Sequence, residues 1–551
     1  LDPGLRSRLP ALTPTEPHSA GTPTPPGPTP TTGARQGSAP ERPELNRLAR
    51  RVDLLDDDRP QHTVMSPIDG SALGLMPIGT VDDVTAALAG ARRAQRMWAE
   101  TSTKERAAIL ADYADLVLDH REELCDLIQL ENGKSRAWAF EEVADTTITA
   151  RYYAKKGPRL LAETKRASAF PGLITTIERR VPKGVVGIIS PWNYPLSLAV
   201  GDAIAALMAG NGVVIKPDSQ TPYTALRAVE LLEQAGLPKG LMRVVTGQGR
   251  VVGTAIIEGA DYVMFTGSSE TGAKIAQQSA ARLVDFSAEL GGKNAMVITD
   301  DIDIERAARL ATIACFANSG QLCISIERIY VLQEVAARFM DAFAEATAAL
   351  RLGAEVGYGP EMGPLASQDQ LDKMREHVTD AVAKGARVLS GGNARPDLAP
   401  WFHEPTILVD VPENADVYRG ETFGPLVSIY PVANVDEAVA AANDTEYGLN
   451  ASVLCNNASR GRAIARRLQA GTVNVNDGYA AAWSSLDAPM GGVGVSGVGR
   501  RHGAVGLLKY TESQNISTRS HLLDLVQRPS HPKEYAERLS AALRLQKYLP
   551  F

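Results

Sequence analysis

The spacing of apolar residues divides the chain into helical and extended stretches. Apolar side chains recur every three or four residues over positions 81–98 and 104–131, which predicts two amphipathic helices. From position 181 onward, short apolar runs bounded by Gly or Pro indicate buried parallel strands at 185–189 and 212–215. Further helices are predicted over 198–208, 222–235 and 270–281, and further strands over 242–246 and 261–266.

The alternation of strands and helices predicts the fold class. Elements of these lengths, taken in this order, form a doubly wound α/β sheet. A second alternating series begins near Ala295 and continues to about Val475, which predicts another α/β domain. The chain has 551 residues, more than one compact core usually supports, so we expect two or three domains.

The two ends of the chain depart from this pattern. The first 45 residues contain eleven prolines and few large apolar side chains. Such a segment cannot bury enough surface to offset its ordering entropy, so we predict a disordered arm over 1–45, with partner binding through polyproline geometry as the alternative. In the tail, 519–551, we predict an amphipathic helix over 533–549 that docks on the folded part of the chain or on a second copy of it, with a membrane-surface helix as the alternative. Its apolar face carries Tyr535, Leu539, Leu543 and Leu549.

Composition and charge argue against several classes of function. Hydrophobic residues make up 44% of the chain and charged residues 22%, as in ordinary soluble enzymes. A net charge of −7 without a long basic run argues against a nucleic-acid surface. Cys125, Cys315, Cys323 and Cys455 are scattered, which predicts neither disulfides nor a metal site and fits a reducing compartment. Because a membrane-spanning run and the features of a signal peptide are both missing, we expect a cytoplasmic protein without membrane contact.

Six short segments carry the residue types that catalysis and nucleotide binding use. Several of them follow a predicted strand, and ligands bind at the ends of parallel strands in such sheets. The segments are Ser-Pro-Trp-Asn-Tyr-Pro at 190–195, Lys-Pro-Asp-Ser-Gln-Thr-Pro at 216–222, Phe-Thr-Gly-Ser-Ser-Glu-Thr-Gly at 265–272, Glu-Leu-Gly-Gly-Lys at 289–293, Gly-Gln-Leu-Cys at 320–323 and Glu-Thr-Phe-Gly-Pro at 421–425.

Taken singly, each segment also has a purely structural explanation. A lone cysteine such as Cys323 is usually a small core residue, and Glu289 before two glycines could end a helix. Gly267 and Gly272 do not form the GxGxxG dinucleotide fingerprint, and Asn193 could cap a turn. Taken together, the segments supply a thiol nucleophile, a carboxylate base, an amide donor and a cation for a nucleotide.

With these six segments in this order, the sequence resembles the aldehyde dehydrogenase superfamily over about residues 60–518. Glu289 and Cys323 are 34 residues apart, a separation typical of that family. The resemblance implies an α/β, aldehyde dehydrogenase-like fold with three parts. We expect a Rossmann-type cofactor domain over 46–163 and 182–288, an α/β catalytic domain over 289–486, and a small β oligomerisation element over 164–181 and 487–518.

A homodimer or homotetramer is the assembly that we expect. Residues 173–181 predict an exposed strand within the oligomerisation element. Because an exposed strand edge needs a partner, another subunit is expected to cover it.

By the same resemblance, Cys323 is the nucleophile that attacks the aldehyde carbon. A thiolate is strongly nucleophilic and its thioester is still readily hydrolysed, which suits the oxidation of an aldehyde to a carboxylate. The Asn193 amide and the Cys323 backbone N–H are expected to hold the oxyanion. Glu289 is expected to activate the water that hydrolyses the thioester, which favours a free acid over a coenzyme A ester as product.

NADP+ and NAD+ are the cofactors that the resemblance implies. It places Lys216 on the adenosine ribose, Trp192 and Ser268 near the phosphates, and Glu421 on the nicotinamide ribose. The full set of expected cofactor-binding residues is Trp192, Lys216, Ser219, Gly267, Ser268, Glu421 and Phe423.

Position 219 bears on the choice between the two cofactors. Relatives that prefer NAD+ often carry Glu there, and that carboxylate would repel the 2′-phosphate of NADP+. The neutral Ser219 therefore predicts that NADP+ is accepted. Asp218 complicates this prediction because the sequence does not fix the direction of its side chain.

The resemblance leaves two substrate classes open. Within the family the chain resembles an actinobacterial NADP-dependent type of succinic semialdehyde dehydrogenase, and well-understood succinic semialdehyde dehydrogenases hold the substrate carboxylate with two arginines. Gly201 and Ala317 stand at those positions, and Asp202 follows where Lys is common. The stretch 489–497, with Gly494 at another common Lys position, resembles the class that oxidises fatty and aromatic aldehydes. Cations that could replace the missing arginines are Arg151, Arg179, Arg180 and Arg328.

A thiol hydrolase and a catalytically silent relative are the alternatives to a dehydrogenase. None of the eight histidines lies near the six segments, which disfavours a Cys–His hydrolase. A silent relative would normally have lost Cys323 or Glu289, and both are present. Formation of NAD(P)H on addition of an aldehyde separates the three classes.

Overall fold

A computed structural model describes residues 43–56, 58–169, 172–521 and 531–547. Positions 1–42 of the predicted arm lie outside the described residues, and the helix Pro43–Ala49 occupies its last three positions. Leu45 and Leu48 of this helix are buried in the core of the cofactor region. The predicted boundary of the arm is therefore too late, because two leucines in a Glu- and Arg-rich segment anchor the helix.

The strands follow one another along most of the described chain. They are β1 (Gln61–Met65), β2 (Ala72–Pro77), β3 (Thr164–Arg166), β4 (Ile174–Pro182), β5 (Val185–Ile189), β6 (Gly212–Lys216), β7 (Met242–Val244), β8 (Tyr262–Thr266), β9 (Phe286–Glu289), β10 (Asn294–Ile298), β11 (Ile326–Leu332), β12 (Arg387–Ser390), β13 (Thr406–Val409), β14 (Leu426–Val432), β15 (Asn450–Leu454), β16 (Thr472–Val475), β17 (Gly497–Val498) and β18 (Thr511–Arg519).

Helices separate most of these strands. They are α1 (Pro43–Ala49), α2 (Val81–Glu100), α3 (Thr103–Asp119), α4 (Arg121–Asn132), α5 (Arg136–Leu160), α6 (Ser197–Met208), α7 (Pro222–Gln234), α8 (Thr254–Gly259), α9 (Ser269–Ala281), α10 (Ile304–Phe316), α11 (Gln333–Ala348), α12 (Gln368–Ala383), α13 (Asp416–Arg419), α14 (Val435–Asn443), α15 (Ala458–Ala465), α16 (Ala480–Trp483), α17 (Gly503–Leu508) and α18 (Pro532–Gln546). A π-helix spans Gly249–Gly253, and 3₁₀ turns span Ala317–Gly320 and Gly494–Ser496.

A six-stranded sheet confirms the predicted doubly wound α/β architecture. Its order is β17–β9–β8–β5–β6–β7, and its strands are parallel except for β17. All residues of β5, β6 and β8 are buried, as expected for a parallel sheet with helices on both faces. From β5 the chain adds β6 and β7 on one side and then β8 and β9 on the other. The strand order reverses between β5 and β8, which is where such sheets bind ligands.

A seven-stranded sheet confirms the second alternating series. Its order is β12–β13–β14–β11–β10–β15–β16, and its strands are parallel except for β12. The segments 289–293, 320–323 and 421–425 precede β10, β11 and β14, three adjacent strands. All three segments therefore lie at the amino edge of this sheet.

A three-stranded antiparallel sheet corrects the prediction for residues 173–181. The strand is present as β4, but β3 and β18 pair with its two sides, so its partners lie within the chain. The sequence of β18 is almost entirely polar, which is why apolar periodicity did not indicate it. Within the predicted oligomerisation element, Gly497–Val498 pair instead with β9, and the pairing with β4 begins only at Thr511.

Two predicted helices differ from the structure in their limits. The stretch 104–131 is two helices, because His120 leaves helical geometry with φ −96° and ψ 16° between α3 and α4. The apolar spacing continues across this break and does not indicate it. In the tail, α18 ends at Gln546, and Leu549 lies outside the described residues. On the predicted apolar face of α18, Leu543 is 48% exposed.

Candidate active site

Strand ends from both large sheets converge on one site. The segments after β5 and β8 lie at the carboxyl edge of the six-stranded sheet and meet the amino edge of the seven-stranded sheet. A hydrogen bond of 3.1 Å from Asn193 Nδ2 to the Gln321 carbonyl joins the two edges. Asn318 Nδ2 donates to the carbonyls of Asn193 and Gln321 at 3.1 and 2.9 Å. The Asn193 amide therefore lies one hydrogen bond away from the loop that carries Cys323.

The loop before Cys323 has a backbone conformation that few residues adopt. Asn318, Ser319 and Gly320 have φ of 49°, 55° and 70°, so three consecutive residues lie in the left-handed region. For a residue other than glycine this conformation costs about 1–2 kcal/mol. A Cβ on Gly320 would overlap the Gly424 carbonyl oxygen, so glycine lets the Cys323 loop pack directly on the 421–425 segment.

The Cys323 thiol lines a cavity and is surrounded by charged groups. The backbone carbonyl oxygen of Cys323 accepts a hydrogen bond of 2.8 Å from Asn294 Nδ2, which fixes the backbone of the loop. Burial raises the pKa of the thiol to about 12. The Arg501 guanidinium lowers this pKa, and Glu289 raises it further. The thiol is therefore protonated near neutral pH unless a base or another cation approaches.

Glu289 ends β9 and is buried. Burial raises the pKa of its carboxyl group to about 7, although Arg501 and Lys509 oppose the shift. A Cβ on Gly491 would lie 2.8 Å from Glu289 Oε1, so a glycine with φ of 151° leaves room for the carboxyl group. A carboxyl group with a pKa near neutrality exchanges protons readily at physiological pH.

Two buried carboxylates that the sequence did not indicate hold the site together. Glu327 accepts hydrogen bonds from Lys293 Nζ at 2.5 Å and from the N–H groups of Thr422 and Phe423 at 2.9–3.0 Å. It thereby ties the 289–293 segment to the 421–425 segment. No motif marks this residue, because the buried strand β11, of which it is the second residue, predicts apolar side chains.

Glu142 plays the same part on the other side of the site. It accepts from Lys134 Nζ at 2.6 Å and from the N–H groups of Leu196 and Ser197 at 2.8 and 3.2 Å. Lys134 also donates to the Asn193 carbonyl at 2.7 Å, so this pair fixes the backbone beside the Asn193 amide. A glutamate in a long helix usually lies on the solvent-exposed face, whereas the Glu142 carboxylate is fully buried.

The residues expected near the adenosine end of a nucleotide lie at the carboxyl ends of β6 and β8. Lys216 is buried, and within the described chain its ammonium donates one hydrogen bond, of 3.0 Å to the Pro217 carbonyl, which leaves donors for a ligand. Ser219 Oγ donates to the Gly247 carbonyl at 3.4 Å. The Asp218 carboxylate accepts a hydrogen bond of 3.0 Å from the Gln220 N–H. The sequence did not fix the direction of the Asp218 side chain, and in the structure it bonds to its own loop.

The remaining expected cofactor residues surround the Cys323 loop and the start of α9. The rings of Trp192 and Phe423 meet edge to face, with centroids 5.6 Å apart. Ser268 caps α9 by accepting from the Thr271 N–H, and Gly267, just before it, donates its N–H to the Glu289 carbonyl at 3.1 Å. A helix N-terminus of this kind favours phosphate groups.

Glu421 lies directly over the Gly-Gly turn. Its Oε1 accepts from the Gly292 N–H at 2.8 Å, and a Cβ on Gly291 would approach its Oε2 to 2.5 Å. Burial raises the pKa of this carboxyl group to about 7, and the nearby Glu327 contributes to the shift. The buried ammonium, the helix N-terminus and this carboxyl group fit the phosphates and two riboses of a dinucleotide.

The cavity that ends at Cys323 contains a cation that the sequence did not indicate. Arg501 lines it and donates to the Asp202 carboxylate at 2.7–2.8 Å, and Lys509 donates to the same carboxylate at 3.1 Å. Gly201 also lines the cavity, with open space where a side chain would be, and Ala317 is buried beside it.

The cations that the sequence suggested are engaged elsewhere. Arg151 pairs with Asp115, and Arg180 pairs with Glu178. Arg328 donates to the carbonyls of residues 293, 441 and 442. Arg179 is exposed on β4. The cavity wall therefore draws its cation from a segment far along the chain.

Of the helices described, none combines the length and the apolar composition that crossing a bilayer requires. Across the same residues, no group of three or more His, Cys, Asp or Glu side chains is placed to hold a metal ion.

The family model and the relatives that match this chain are those of aldehyde dehydrogenases. The model of the aldehyde dehydrogenase family matches residues 55–516. A Mycobacterium ulcerans protein with the provisional name succinate-semialdehyde dehydrogenase (NADP+) 2 is 54% identical over 462 residues, which cover 84% of this chain and 89% of the relative.

The chain is also similar to solved structures over most of its length. A crystal structure described as an E. coli NADP-dependent enzyme has a TM-score of 0.82 and 35% identity, covering 86% of this chain and 99% of that one. The Staphylococcus aureus betaine aldehyde dehydrogenase in complex with NAD+ has a TM-score of 0.81 and 30% identity, covering 87% and 98%. The chain therefore belongs to the aldehyde dehydrogenase family and is an NAD(P)+-dependent aldehyde dehydrogenase.

Proposed function

We propose that the chain oxidises an aldehyde to a free carboxylic acid through a thioester on Cys323. The observation that carries this proposal is the convergence of the Cys323 thiol, the Asn193 amide and the Glu289 carboxyl group between two sheet edges. Asn193 uses one amide hydrogen on Gln321 and keeps a second donor for an oxyanion. An oxyanion donor of this kind is worth about 3 kcal/mol of the barrier.

In the first half of the reaction, the Cys323 thiol loses its proton to solvent and the sulfur bonds to the aldehyde carbon. The carbonyl oxygen becomes an oxyanion, which the Asn193 amide and the Cys323 backbone N–H stabilise. The partly buried Arg501 guanidinium favours the thiolate, since it lowers a thiol pKa that burial has raised. When bound, the nicotinamide of NAD(P)+ accepts the hydride that leaves the same carbon.

In the second half, water attacks the thioester carbon and the bond to the Cys323 sulfur breaks. Glu289 takes the proton of this water, since a carboxyl group with a pKa of about 7 is partly ionised at neutral pH. The acid leaves as the free carboxylate, and the thiol is restored. The cofactor is held by Lys216 on the adenosine side and by Glu421 on the nicotinamide side.

NADP+ is the cofactor that we propose for the cell, with NAD+ as an alternative. Ser219 is neutral, and the Asp218 carboxylate beside it bonds to its own loop. A 2′-phosphate therefore meets no carboxylate at position 219. The names of the mycobacterial and E. coli relatives, both of which refer to NADP, support the same choice.

For the substrate, we propose a preference for aldehydes without a carboxylate. The Arg501 guanidinium is paired with Asp202, so a substrate carboxylate in the cavity would lose hydration and gain little. Succinic semialdehyde is the second candidate, because relatives carry its name and Arg501 lines the cavity.

One kinetic comparison tests this choice. We expect kcat/KM for butanal, hexanal or benzaldehyde to exceed that for succinic semialdehyde at one pH and saturating NADP+. A tenfold advantage for succinic semialdehyde, about 1.4 kcal/mol, would contradict the proposal and assign its carboxylate to Arg501. The absence of NADPH with every aldehyde would contradict the reaction itself.

We further propose a homodimer or homotetramer in the cytoplasm. Eight of the nine residues of β18 are exposed, and this strand forms an edge of the three-stranded sheet. Such an edge is suited to pairing with a second subunit. The four cysteines are free, which fits a reducing compartment.

A further inference from the structure

Two carboxyl groups on the wall of the substrate cavity have no part in the mechanism above. Glu141 and Asp145 are four residues apart on α5, so they lie on the same face of the helix. Both line the cavity that ends at Cys323. Acidic side chains in a substrate cavity need partners, because desolvating an unpaired carboxylate is costly.

The partners that the chain supplies to this pair are weak. Glu141 Oε2 accepts from the hydroxyl groups of Tyr194 and Tyr479 at 3.3 and 3.4 Å, both long for such bonds. Asp145 Oδ1 is buried and finds no hydrogen-bond partner among the described residues, while Ser197 supplies a side-chain hydrogen bond to this carboxyl group and Arg501 a favourable charge. By contrast, the adjacent Glu142 accepts three hydrogen bonds from the protein. The protein thus satisfies its structural carboxylate and leaves two others facing the cavity.

The cations near the cavity are already committed to other carboxylates. Lys134 is paired with Glu142, and Arg501 and Lys509 are paired with Asp202. Within the described chain, neither Glu141 nor Asp145 forms an ion pair with a side chain. Three carboxyl groups line the cavity, those of Glu141, Asp145 and Asp202, against one guanidinium, that of Arg501, so the cavity attracts positive charge when the carboxyl groups are ionised.

Aromatic rings complete this wall of the cavity. Tyr194, Tyr479 and Trp483 line the same space as the two carboxyl groups. The face of an aromatic ring attracts a cation within about 6 Å of its centre. Aromatic rings and carboxylates together can bind an ammonium group.

We propose that Glu141 and Asp145, with these rings, bind the ammonium group of an amino aldehyde whose carbonyl carbon reaches Cys323. This inference rests on the proposed function, because it names the substrate class of the same site. It orders the substrates by charge: cationic aldehydes first, then neutral ones, then anionic ones such as succinic semialdehyde.

Protonation of the pair supplies an independent signature. Burial raises the pKa of both Glu141 and Asp145 to about 7, although the Lys134 ammonium lowers the first and the Arg501 guanidinium lowers the second. An alkylammonium stays charged from pH 6 to pH 8, whereas these carboxyl groups ionise over that range. The preference for a cationic aldehyde therefore grows as pH rises from 6 to 8.

The test compares substrates of equal shape and different charge. One pair is 3-aminopropanal with butanal, and a longer pair is 4-(trimethylammonio)butanal with 5,5-dimethylhexanal. We expect kcat/KM for the cationic member of at least one pair to exceed that of its neutral match tenfold at pH 8, with a smaller ratio at pH 6. Equal values within both pairs, or a faster reaction of succinic semialdehyde, would overturn the proposal.

Variants link the preference to the two carboxyl groups. In Glu141→Gln and Asp145→Asn we expect the ratio of cationic to neutral kcat/KM to fall at least fivefold. In the control Glu376→Gln, an exposed carboxylate on α12, the ratio stays as in the parent. A ratio that is unchanged in both cavity variants would contradict the proposal.

A binding measurement separates this inference from the reaction. If no aldehyde is oxidised, the proposed function has failed, and calorimetry with 3-aminopropan-1-ol and its neutral match butan-1-ol still tests the subsite. Tighter binding of the amine, lost in Asp145→Asn, supports it. Equal binding of the two alcohols rejects it.

Discussion

At the scale of single residues, the thiol of Cys323 has the most direct test. Its substitution in Cys323→Ala removes the only cysteine that lines the cavity in the described chain, so turnover is expected to vanish while nucleotide binding is retained. Steady-state NADPH formation and nucleotide titration measure the two effects. Residual activity above about 1% of the parent would show that another group is the nucleophile.

Glu289 acts after hydride transfer in the proposed reaction, and this order can be observed. The variant Glu289→Gln is expected to give one equivalent of NAD(P)H rapidly and then turn over slowly, since the thioester accumulates. In the parent, hydrolysis depends on the ionised carboxyl group, so its rate rises as pH passes upward through about 7. A missing burst in a variant that still binds nucleotide would place Glu289 before hydride transfer, as the base for Cys323.

We expect Ser219 to lie beside the 2′-phosphate and to influence the choice between NADP+ and NAD+. The variant Ser219→Glu adds a carboxylate that repels the phosphate by an amount on the order of 1–3 kcal/mol, so preference shifts toward NAD+. Ser219→Gln has a similar size without the charge and serves as the control. If kcat/KM ratios for NADP+ over NAD+ are equal in the parent and in Ser219→Glu, position 219 does not contact the ribose.

At the scale of elements, the loop 318–320 joins the two sheets through a backbone contact. The variant Gly320→Ala brings a Cβ into the Gly424 carbonyl and strains a residue with φ of 70°, so we expect a loss of about 2 kcal/mol or more in unfolding free energy. Gly172→Ala is the matched control, because Gly172 has a similar φ of 78° but open space around it. Denaturant unfolding of both variants separates overlap from strain. Equal losses would show that the contact with Gly424 is not tight.

Elements with strong periodicity were predictable from the sequence, and those set by tertiary contacts were not. Short apolar runs predicted β5 and β6 closely because parallel strands covered on both faces need continuous apolar residues. The break between α3 and α4 was missed because His120 interrupts geometry without interrupting the apolar stripe. The polar strand β18 was missed because its two faces are exposed and its order comes from pairing with β4.

The same division holds for the site. The six segments could be identified because each lies next to a strand end and carries a reactive or polar residue. Glu327, Glu142 and Arg501 could not, since a charged side chain is ordinarily exposed, whereas these three are buried or line the cavity. Their partners lie at separations that range from 8 residues, for Lys134 and Glu142, to 299 residues, for Asp202 and Arg501. Pairing over such separations is decided by the fold.

At the scale of the whole molecule, β18 is the surface on which the proposed assembly depends. Ile516 is apolar and 43% exposed on this strand, so the variant Ile516→Asp is expected to lower the molar mass seen by light scattering. Asn515→Asp carries the same charge on the next residue, whose side chain points to the other face of the strand, and serves as the control. A monomeric parent, or an unchanged mass in Ile516→Asp, would contradict assembly through this strand.

Arg501 lies near the end of the sequence, which has a consequence for the site during synthesis of the chain. The cysteine leaves the ribosome about 180 residues before the arginine that lowers its pKa, at synthesis rates of about 5–20 residues per second. During that interval of about nine seconds or more, the unburied thiol keeps an ordinary pKa, below the value of about 12 that burial gives it in the folded protein. The cavity that Cys323 lines is also lined by Arg501, His502 and Gly506, so it is complete only after residue 506 has been made. During synthesis Cys323 is therefore an ordinary exposed thiol, and it meets its cation and its oxyanion donors only when these late residues are in place.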